Sequence, residues 1–261
     1  MAQNQFETGG MATYLVSGKV MPERANVSVT PITLHVDAKD AGITCEATIS
    51  ISVSQVSVVV KTSGEEVDLL TLKNVVESLV RAEVDALGYL WGCGYDIEIT
   101  SAVDSSGKQV VFGVGIAELE ATKSERPLSL DGLWRVMWES QHLRRALGEL
   151  RQAVRSPADT GFHCYRAIES IRQSFRKEED GEDRKPSWER LRYALRVDKS
   201  WVDHVRRFGD PQRHGATPYM SGEDRVSAMQ HAWRVVDRYC VYAHEGFVPL
   251  PEDAFPVLED S

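Results

Sequence analysis

The chain has 261 residues, enough for one large or two ordinary domains, and its 42% hydrophobic and 26% charged residues are typical of soluble globular proteins. It contains no run of about 18 apolar residues, and its polar first ten residues lack the basic-then-apolar order of a secretory signal, so we expect a cytoplasmic protein without a membrane span. The net charge of −9 excludes a general nucleic-acid coat protein, and any RNA contact must therefore be local.

Basic residues are concentrated in the C-terminal half of the chain. Residues 1–130 hold 9 Lys and Arg against 17 Asp and Glu, whereas residues 131–245 hold 21 against 18. Of those 21 basic residues, 18 are arginine. The planar guanidinium suits phosphate and carboxylate recognition better than a lysine ammonium. Many of these arginines also alternate with acids at helical spacing, which is equally consistent with solvated ion pairs.

Motifs for metals, disulfides and common cofactors are missing. The four cysteines are scattered without a CxxC pair, which argues against a zinc site and against a disulfide framework. The sequence also has no GxSxG, HExxH or phosphate-binding loop. We therefore expect no metal and no cofactor.

The N-terminal part of the chain predicts an α+β domain, a mixed sheet with one helix, over residues 13–119, preceded by a disordered tail over residues 1–12. Apolar and polar residues alternate strictly from Ile43 to Val53, as in a half-buried strand. From Leu69 to Trp91 apolar residues recur every three to four positions, as in an amphipathic helix. The other predicted strands are Tyr14–Val20, Val27–Thr33, Ile32–Val36, Val56–Lys61, Asp96–Ala102 and Gln109–Leu119.

The C-terminal part predicts a linker over residues 120–130, an all-α bundle over 131–247 and a loose acidic tail over 248–261. The predicted helices are Asp131–Arg155, Ala158–Lys177, Trp188–Val197, Trp201–Arg207 and one that begins at Ser221 with a capping-box arrangement. Gly209 and Pro211 are expected to end the short fourth helix. The pair Trp134 and Trp138 is expected in the core.

The segment Ser200–Ala216 carries the candidate site. It places His214 close in sequence to Arg206, Arg207 and Arg213 on a turn between two helices, where functional residues are common. Histidine titrates near neutrality and can transfer protons, and arginine can stabilise the charge on a phosphate in metal-free RNA cleavage. A histidine that only ties the turn to a neighbouring helix is the alternative.

Glu169 and Arg172 lie three residues apart on the apolar stripe of the second predicted helix. Polar groups on such a stripe are costly unless they are paired. They are expected to pair with each other or to reach the turn with Arg213 and His214. Both a purely structural network and a supporting role at the site remain open.

These two segments, Tyr165–Arg172 and Arg207–His214, resemble the HEPN superfamily, the small helical bundles of prokaryotic defence, toxin and RNA-processing systems. The second segment fits the family's pattern of Arg, four to six residues, His, with six residues between. The position after the arginine is usually polar in that family and is Phe208 here. The resemblance covers about residues 131–245 and leaves the N-terminal domain unexplained.

The resemblance implies a homodimeric, metal-independent endoribonuclease or RNA-binding effector of antiviral defence or stress. It implies that Arg207 and His214 are catalytic and that Arg213, Glu169, Arg172 and Arg206 support them or bind phosphate. The alternative is a non-catalytic interaction module whose N-terminal domain binds a protein partner.

Overall fold

The computed structural model describes residues 11–63, 67–216 and 219–260. The chain divides into two compact units, Met1–Gly113 and Val114–Ser261. The fold is α+β, as predicted, because an antiparallel sheet with one helix is followed by a helical unit. Of the expected disordered tail, residues 1–10 lie outside the described residues, whereas Met11 and Ala12 begin the first strand.

The N-terminal unit is a six-stranded antiparallel sheet with a helix packed on it. The strands are β1 (Met11–Met21), β2 (Val29–Ala38), β3 (Ile43–Ser52), β4 (Gln55–Ser63), β5 (Asp96–Val103) and β6 (Gln109–Val111), in the spatial order β2-β3-β4-β1-β5-β6. The helix α1 spans Leu69–Trp91. Alternate residues of β3 and the three-to-four stripe of α1 enter one core, which is why both were visible in the sequence.

The prediction of a long second hairpin strand over Gln109–Leu119 is wrong beyond Val111. β6 pairs with β5 over only three residues, and Ala117–Ala121 forms the short helix α2. Leu119 belongs to the core of the helical unit, so this segment already serves the second unit.

The described part of the C-terminal unit contains seven α-helices. They are α2, α3 (Leu130–Glu139), α4 (Gln141–Arg155), α5 (Thr160–Gln173), α6 (Lys185–Leu195), α7 (Lys199–Arg213) and α8 (Gly222–His244). The capping prediction for α8 is confirmed, because the Ser221 Oγ accepts a 3.0 Å hydrogen bond from the Asp224 backbone N–H. Within the described residues no helix is both long enough and apolar enough to cross a membrane.

The single helix predicted over Asp131–Arg155 is interrupted at Ser140. The Ser140 Oγ accepts a hydrogen bond from the Leu143 N–H at 3.2 Å and so begins α4, while the same oxygen lies 2.9 Å from the Tyr239 hydroxyl of α8. A serine that caps a helix start makes such a break favourable. Trp134 and Trp138, both in α3, are 47% and 71% exposed, so their predicted core position is wrong.

The helix predicted to stop at Arg207 continues to Arg213. Gly209 lies inside α7 and is buried, and Pro211 is within the last turn, where it removes only one hydrogen bond of the helix. The glycine serves close packing instead of termination. A Cβ at Gly209 would lie 2.7 Å from the Tyr165 Cβ and 2.9 Å from the Gly161 carbonyl oxygen, both on α5. The helices therefore cross at a distance that only glycine permits.

The acidic tail is ordered instead of loose. We call residues 248–260 the C-terminal strap. Leu258 forms a parallel bridge with Val197, with backbone hydrogen bonds of 2.9 Å to the Arg196 oxygen and 2.8 Å from the Asp198 N–H. The buried Arg238 donates to the Leu195 oxygen at 2.9 Å and to the Pro256 oxygen at 2.6 Å. A buried guanidinium needs acceptors, and the backbone of the strap supplies one of them.

Substituting Gly209 by alanine tests the close crossing of α5 and α7. We expect Gly209→Ala to lower the free energy of unfolding by about 1–3 kcal/mol, because the helices must separate to admit the methyl group. Gly148→Ala is the matched control. A Cβ there meets nothing within 4 Å, so the better helix propensity of alanine should raise stability by up to about 1 kcal/mol. Urea unfolding measures both, and equal stability of the two variants would contradict this packing.

Candidate phosphate-binding and catalytic site

The candidate site is built where the C-terminal end of α7 lies on α5. Gln212, in the last turn of α7, fixes that end. Its side-chain Oε1 accepts a 2.6 Å hydrogen bond from the Phe162 N–H, and its Nε2 donates to the Ala158 oxygen. The first N–H groups of a helix have no partner within the helix, so a side-chain amide from α7 satisfies one of them. The two residues after Gln212, Arg213 and His214, are thereby held beside α5.

Three arginine guanidinium groups lie around one buried carboxylate, that of Glu169. Glu169 is 7% exposed, and its Oε1 lies 3.3 Å from the Arg213 Nη1 and 3.9 Å from the Arg184 Nη1. Its Oε2 lies 3.8 Å from the Arg166 Nη1. Of the two alternatives expected for Glu169, the structure therefore contains the contact with the 213–214 turn. Arg166 also lies 3.9 Å from a second carboxylate, Glu149, through its Nε, so three guanidinium groups meet two carboxylates here and positive charge exceeds negative charge by one.

Arg172 has a different task from the other arginines. Its side chain is buried, its Nη1 donates to the Ser187 Oγ at 2.9 Å, and its guanidinium lies 5.4 Å from the centre of the Trp188 ring. Burial lowers its pKa, and the nearby Glu169 carboxylate opposes that shift. Arg172 thus joins α5 to α6 and is buried, so it does not lie on the surface of the cluster.

Arg206 forms a hydrogen bond with an acidic side chain of its own helix, α7. Its Nε donates to the Asp210 Oδ2 at 2.7 Å, and this hydrogen bond raises the pKa of Arg206.

The buried Tyr165 ring packs almost parallel to Trp188, with ring centres 6.4 Å apart. Burial, and then the charge of Glu169, raise the pKa of Tyr165 to about 12. The phenol therefore stays neutral to high pH while it interacts with the charges of Glu169, Arg206 and Arg213.

Arg207 and His214, the predicted catalytic pair, are both exposed. Arg207 lies within α7 and His214 directly follows its last residue, so the two are separated by about two turns, or about 10 Å along the helix axis. The Arg207 guanidinium lies 4.6 Å from the centre of the Phe208 ring. His214 caps α7, and its backbone N–H bonds the Asp210 oxygen at 3.2 Å. Arg213, not His214, contacts Glu169, so the His214 ring remains accessible to a substrate.

Three contributors were missing from the prediction. Arg166 and Arg184 join Arg213 around Glu169, and Gln212 fixes the end of α7. Arg166 precedes Glu169 by three residues, a spacing that could have indicated the pair. Arg184 lies in a charged loop, and Gln212 is an uncharged residue in a polar segment, so neither carried a usable signal.

Chemically, the cluster suits a phosphate group. Each guanidinium has several N–H donors, and the side chains of Arg166, Arg184 and Arg213 are 30%, 61% and 34% exposed. Donors not used by Glu169, or by Glu149 in the case of Arg166, can therefore face an incoming anion, which guanidinium groups bind in a bidentate manner. The exposed His214 directly follows Arg213 in the chain.

The raised pKa of Tyr165 predicts a loss of stability at alkaline pH. The unfolded chain ionises this phenol near pH 10, whereas the folded chain keeps it neutral to about pH 12. The contribution of Tyr165 to the free energy of unfolding is therefore complete below pH 10. It is lost as the pH rises from 10 to 12, by about 1 kcal/mol per pH unit. Urea unfolding at pH 9, 10 and 11 should show a shallower decline for Tyr165→Phe than for wild type. Tyr193→Phe removes an exposed tyrosine and should decline like wild type. A Tyr165→Phe curve parallel to wild type would contradict the prediction.

Comparison with known proteins places both halves of the chain in one family description. Residues 14–112 match the N-terminal domain, and residues 136–244 the C-terminal domain, of a family described as a domain of unknown function (DUF8168). The chain thus carries both domains of this family, in the order that their names give. No curated protein and no solved structure matches the chain.

Proposed function

We propose that the helical unit binds RNA through the arginines around Glu169 and cleaves it without a metal ion at Arg207 and His214. The observation that carries the proposal is the gathering of three guanidinium groups on one carboxylate, next to an exposed histidine. In keeping with the HEPN resemblance, the protein would act as an RNA-directed effector of prokaryotic defence or stress, with a toxin-like activity, in the cytoplasm.

The proposed reaction needs a base, an acid and a group that stabilises negative charge. His214 takes the proton of a ribose 2′-hydroxyl, and the 2′ oxygen then attacks the adjacent phosphorus. Arg207 stabilises the negative charge that builds on the phosphate oxygens. The 5′ oxygen leaves with a proton and a 2′,3′-cyclic phosphate remains. In a homodimer the second His214 supplies that proton.

The other residues position the RNA. Arg213, Arg166 and Arg184 hold a flanking phosphate, and Glu169 keeps their guanidinium groups apart and oriented. Arg172 and Tyr165 fix the inner wall on which the cluster is built, while Arg206 with Asp210 borders it on α7. RNA binding that depends on these arginines should weaken with added salt, because phosphate contacts release counterions.

The decisive experiment is RNA cleavage in EDTA. We expect the wild type to cut single-stranded RNA and His214→Ala to cut it at least about 100-fold more slowly, since general acid–base catalysis contributes that much or more. Arg207→Ala should show a comparable loss. The controls are His244→Ala and Arg151→Ala, which remove an exposed histidine and an exposed arginine elsewhere in the helical unit.

Thermal melts accompany each assay, so that a loss of cleavage can be separated from a loss of folding. A folded His214→Ala that cuts RNA like wild type would refute the catalytic assignment. A second outcome would refute cleavage but support RNA binding. In that case neither the wild type nor any variant cuts RNA, while Arg213→Ala weakens RNA binding and Arg151→Ala does not.

A second candidate function, a non-catalytic interaction module, is favoured by one feature of the N-terminal unit. Three consecutive large side chains at the end of α1, Tyr89, Leu90 and Trp91, are 87%, 70% and 56% exposed. Large exposed aromatic and aliphatic side chains that lie together are typical of protein interfaces. Under this alternative the acidic N-terminal unit binds a protein through this surface, and the arginine cluster only stabilises the bundle.

The mass of the protein in solution tests whether that surface joins two copies of the chain. If it does, Leu90→Ser should shift a dimer toward the monomer in light scattering, because the variant loses apolar area buried at the interface. Val114→Ser, which alters an exposed valine outside α1, is the control. Identical masses for Leu90→Ser and wild type would contradict self-association through α1.

A further inference from the structure

Two histidines and an aspartate converge where α7, α8 and the C-terminal strap meet. They are His204 of α7, His231 of α8 and Asp260 of the strap, and their ligand atoms all lie within 4.8 Å of one another. The two imidazoles are largely buried, with 9% and 12% of their side chains exposed, whereas Asp260 is 33% exposed. The cluster therefore has a buried side that is fixed by two helices and an open side toward solvent.

A single residue, Ser227 of α8, orients both imidazole rings. The His231 Nδ1 lies 2.8 Å from the Ser227 carbonyl oxygen, which can only accept, so the proton is on Nδ1 and the neutral ring has its lone pair on Nε2. That Nε2 is 3.4 Å from the Asp260 Oδ1, and it has no hydrogen-bond partner among the described residues. Two acceptors thus face each other across a gap that a cation would fill.

The second ring is held in the same way by the side chain of that serine. The His204 Nε2 lies 2.9 Å from the Ser227 Oγ, and its Nδ1 lies 2.8 Å from the Asp260 Oδ2. Metal-bound histidines commonly use their other ring nitrogen in such a hydrogen bond, which fixes the tautomer and the orientation of the ring. Both rings therefore have the outer support that a ligand histidine needs.

We propose that His204 Nδ1, His231 Nε2 and the Asp260 carboxylate bind a divalent transition metal ion of the Zn²⁺ type and tie the C-terminal strap to α7 and α8. Two imidazole nitrogens and one carboxylate oxygen form an established zinc ligand set, with water in the fourth position. When the ion binds, the His204 proton moves from Nδ1 to Nε2, and the Ser227 hydroxyl turns from donor to acceptor. The ion thus takes the place of the proton between His204 Nδ1 and Asp260.

Binding has a visible geometric consequence. The His204 and His231 rings are stacked, with centres 3.9 Å apart and planes 4° from parallel, and Trp201 stacks on the other face of His231 at 3.9 Å. An ion about 2.0–2.1 Å from each nitrogen draws the two lone pairs together, so the rings must tilt out of this stack. The indole of Trp201 would therefore report on the metal through its fluorescence.

The contacts of Ser227 with His204 and of His204 with Asp260 also resemble the serine, histidine and aspartate of a hydrolase catalytic triad. Ser227, however, lies within the long helix α8, where backbone N–H groups are used by carbonyls four residues earlier. A serine nucleophile needs free N–H groups nearby to stabilise the oxyanion. A metal site uses all three side chains as ligands. It also explains why the buried Nε2 of His231 has no hydrogen-bond partner among the described residues. It is independent of the proposed ribonuclease chemistry at the end of α7.

The test is Zn²⁺ binding by the tag-free full chain, measured by calorimetry and by tryptophan fluorescence. We expect one Zn²⁺ per chain, and at least tenfold weaker binding by His231→Ala and by Asp260→Ala, the latter altering a side chain that is 33% exposed. Ser227→Ala keeps all three ligands and should weaken binding about 10- to 100-fold. His244→Ala, on the same helix, should bind like wild type.

Two further readouts separate this site from adventitious binding. Trp201→Phe should abolish the fluorescence change while keeping the calorimetric binding, and Zn²⁺ should slow hydrogen exchange in the strap of wild type but not of Asp260→Ala. No saturable binding by the wild type would overturn the proposal. Equal affinity of wild type and a folded Asp260→Ala would also overturn it.

Discussion

The close contact between Gly161 and Gly209 is the constraint on which the helical unit depends. Because neither residue has a side chain, α5 and α7 approach until a Cβ on either would clash. That approach brings Gln212 within reach of the first turn of α5. It also carries Arg213 to Glu169, which lies two turns further along α5. The position of the candidate site is thus a consequence of backbone packing and not of the charges that occupy it.

Given that position, the buried carboxylate decides how the arginines are arranged. Glu169 has lost most of its contact with water, and charged partners must replace the lost hydration. Arg166, Arg184 and Arg213 come from three different segments, and each keeps part of its guanidinium exposed. One acid therefore organises a surface with surplus positive charge. Such a surface can attract phosphate in a chain whose overall charge is negative.

The C-terminal strap is held by a second buried charge, on the guanidinium of Arg238. This group lies on α8, and burial with neighbouring positive charge lowers its pKa to about 10. Its donors are satisfied by backbone oxygens of Leu195 and Pro256, so the strap is part of the fold. Because the strap is fixed there, Asp260 arrives beside the stacked pair His204 and His231. The arginine cluster and this histidine cluster use different residues of α7, which lets one helix serve two sites.

The sequence by itself determined the elements whose pattern is local. The alternation in β3, the apolar stripe of α1 and the Ser221 cap of α8 each involve neighbours two to four residues apart, and all three were predicted. The α+β class, and the nearness of Glu169 to the 213–214 turn as one of two alternatives, also followed from such patterns.

Tertiary structure decided the rest. Gly209 looks the same in sequence whether it ends a helix or lets one pack closely, and only the partner helix distinguishes the two. The Ser140 hydroxyl at the break contacts the distant Tyr239, and Arg238 donates to the backbone of the strap. Likewise, His204, His231 and Asp260 are 27 and 29 residues apart along the chain, so no motif marks them. Local periodicity records which residues a segment buries, whereas contacts between distant segments are set by how those buried faces fit together.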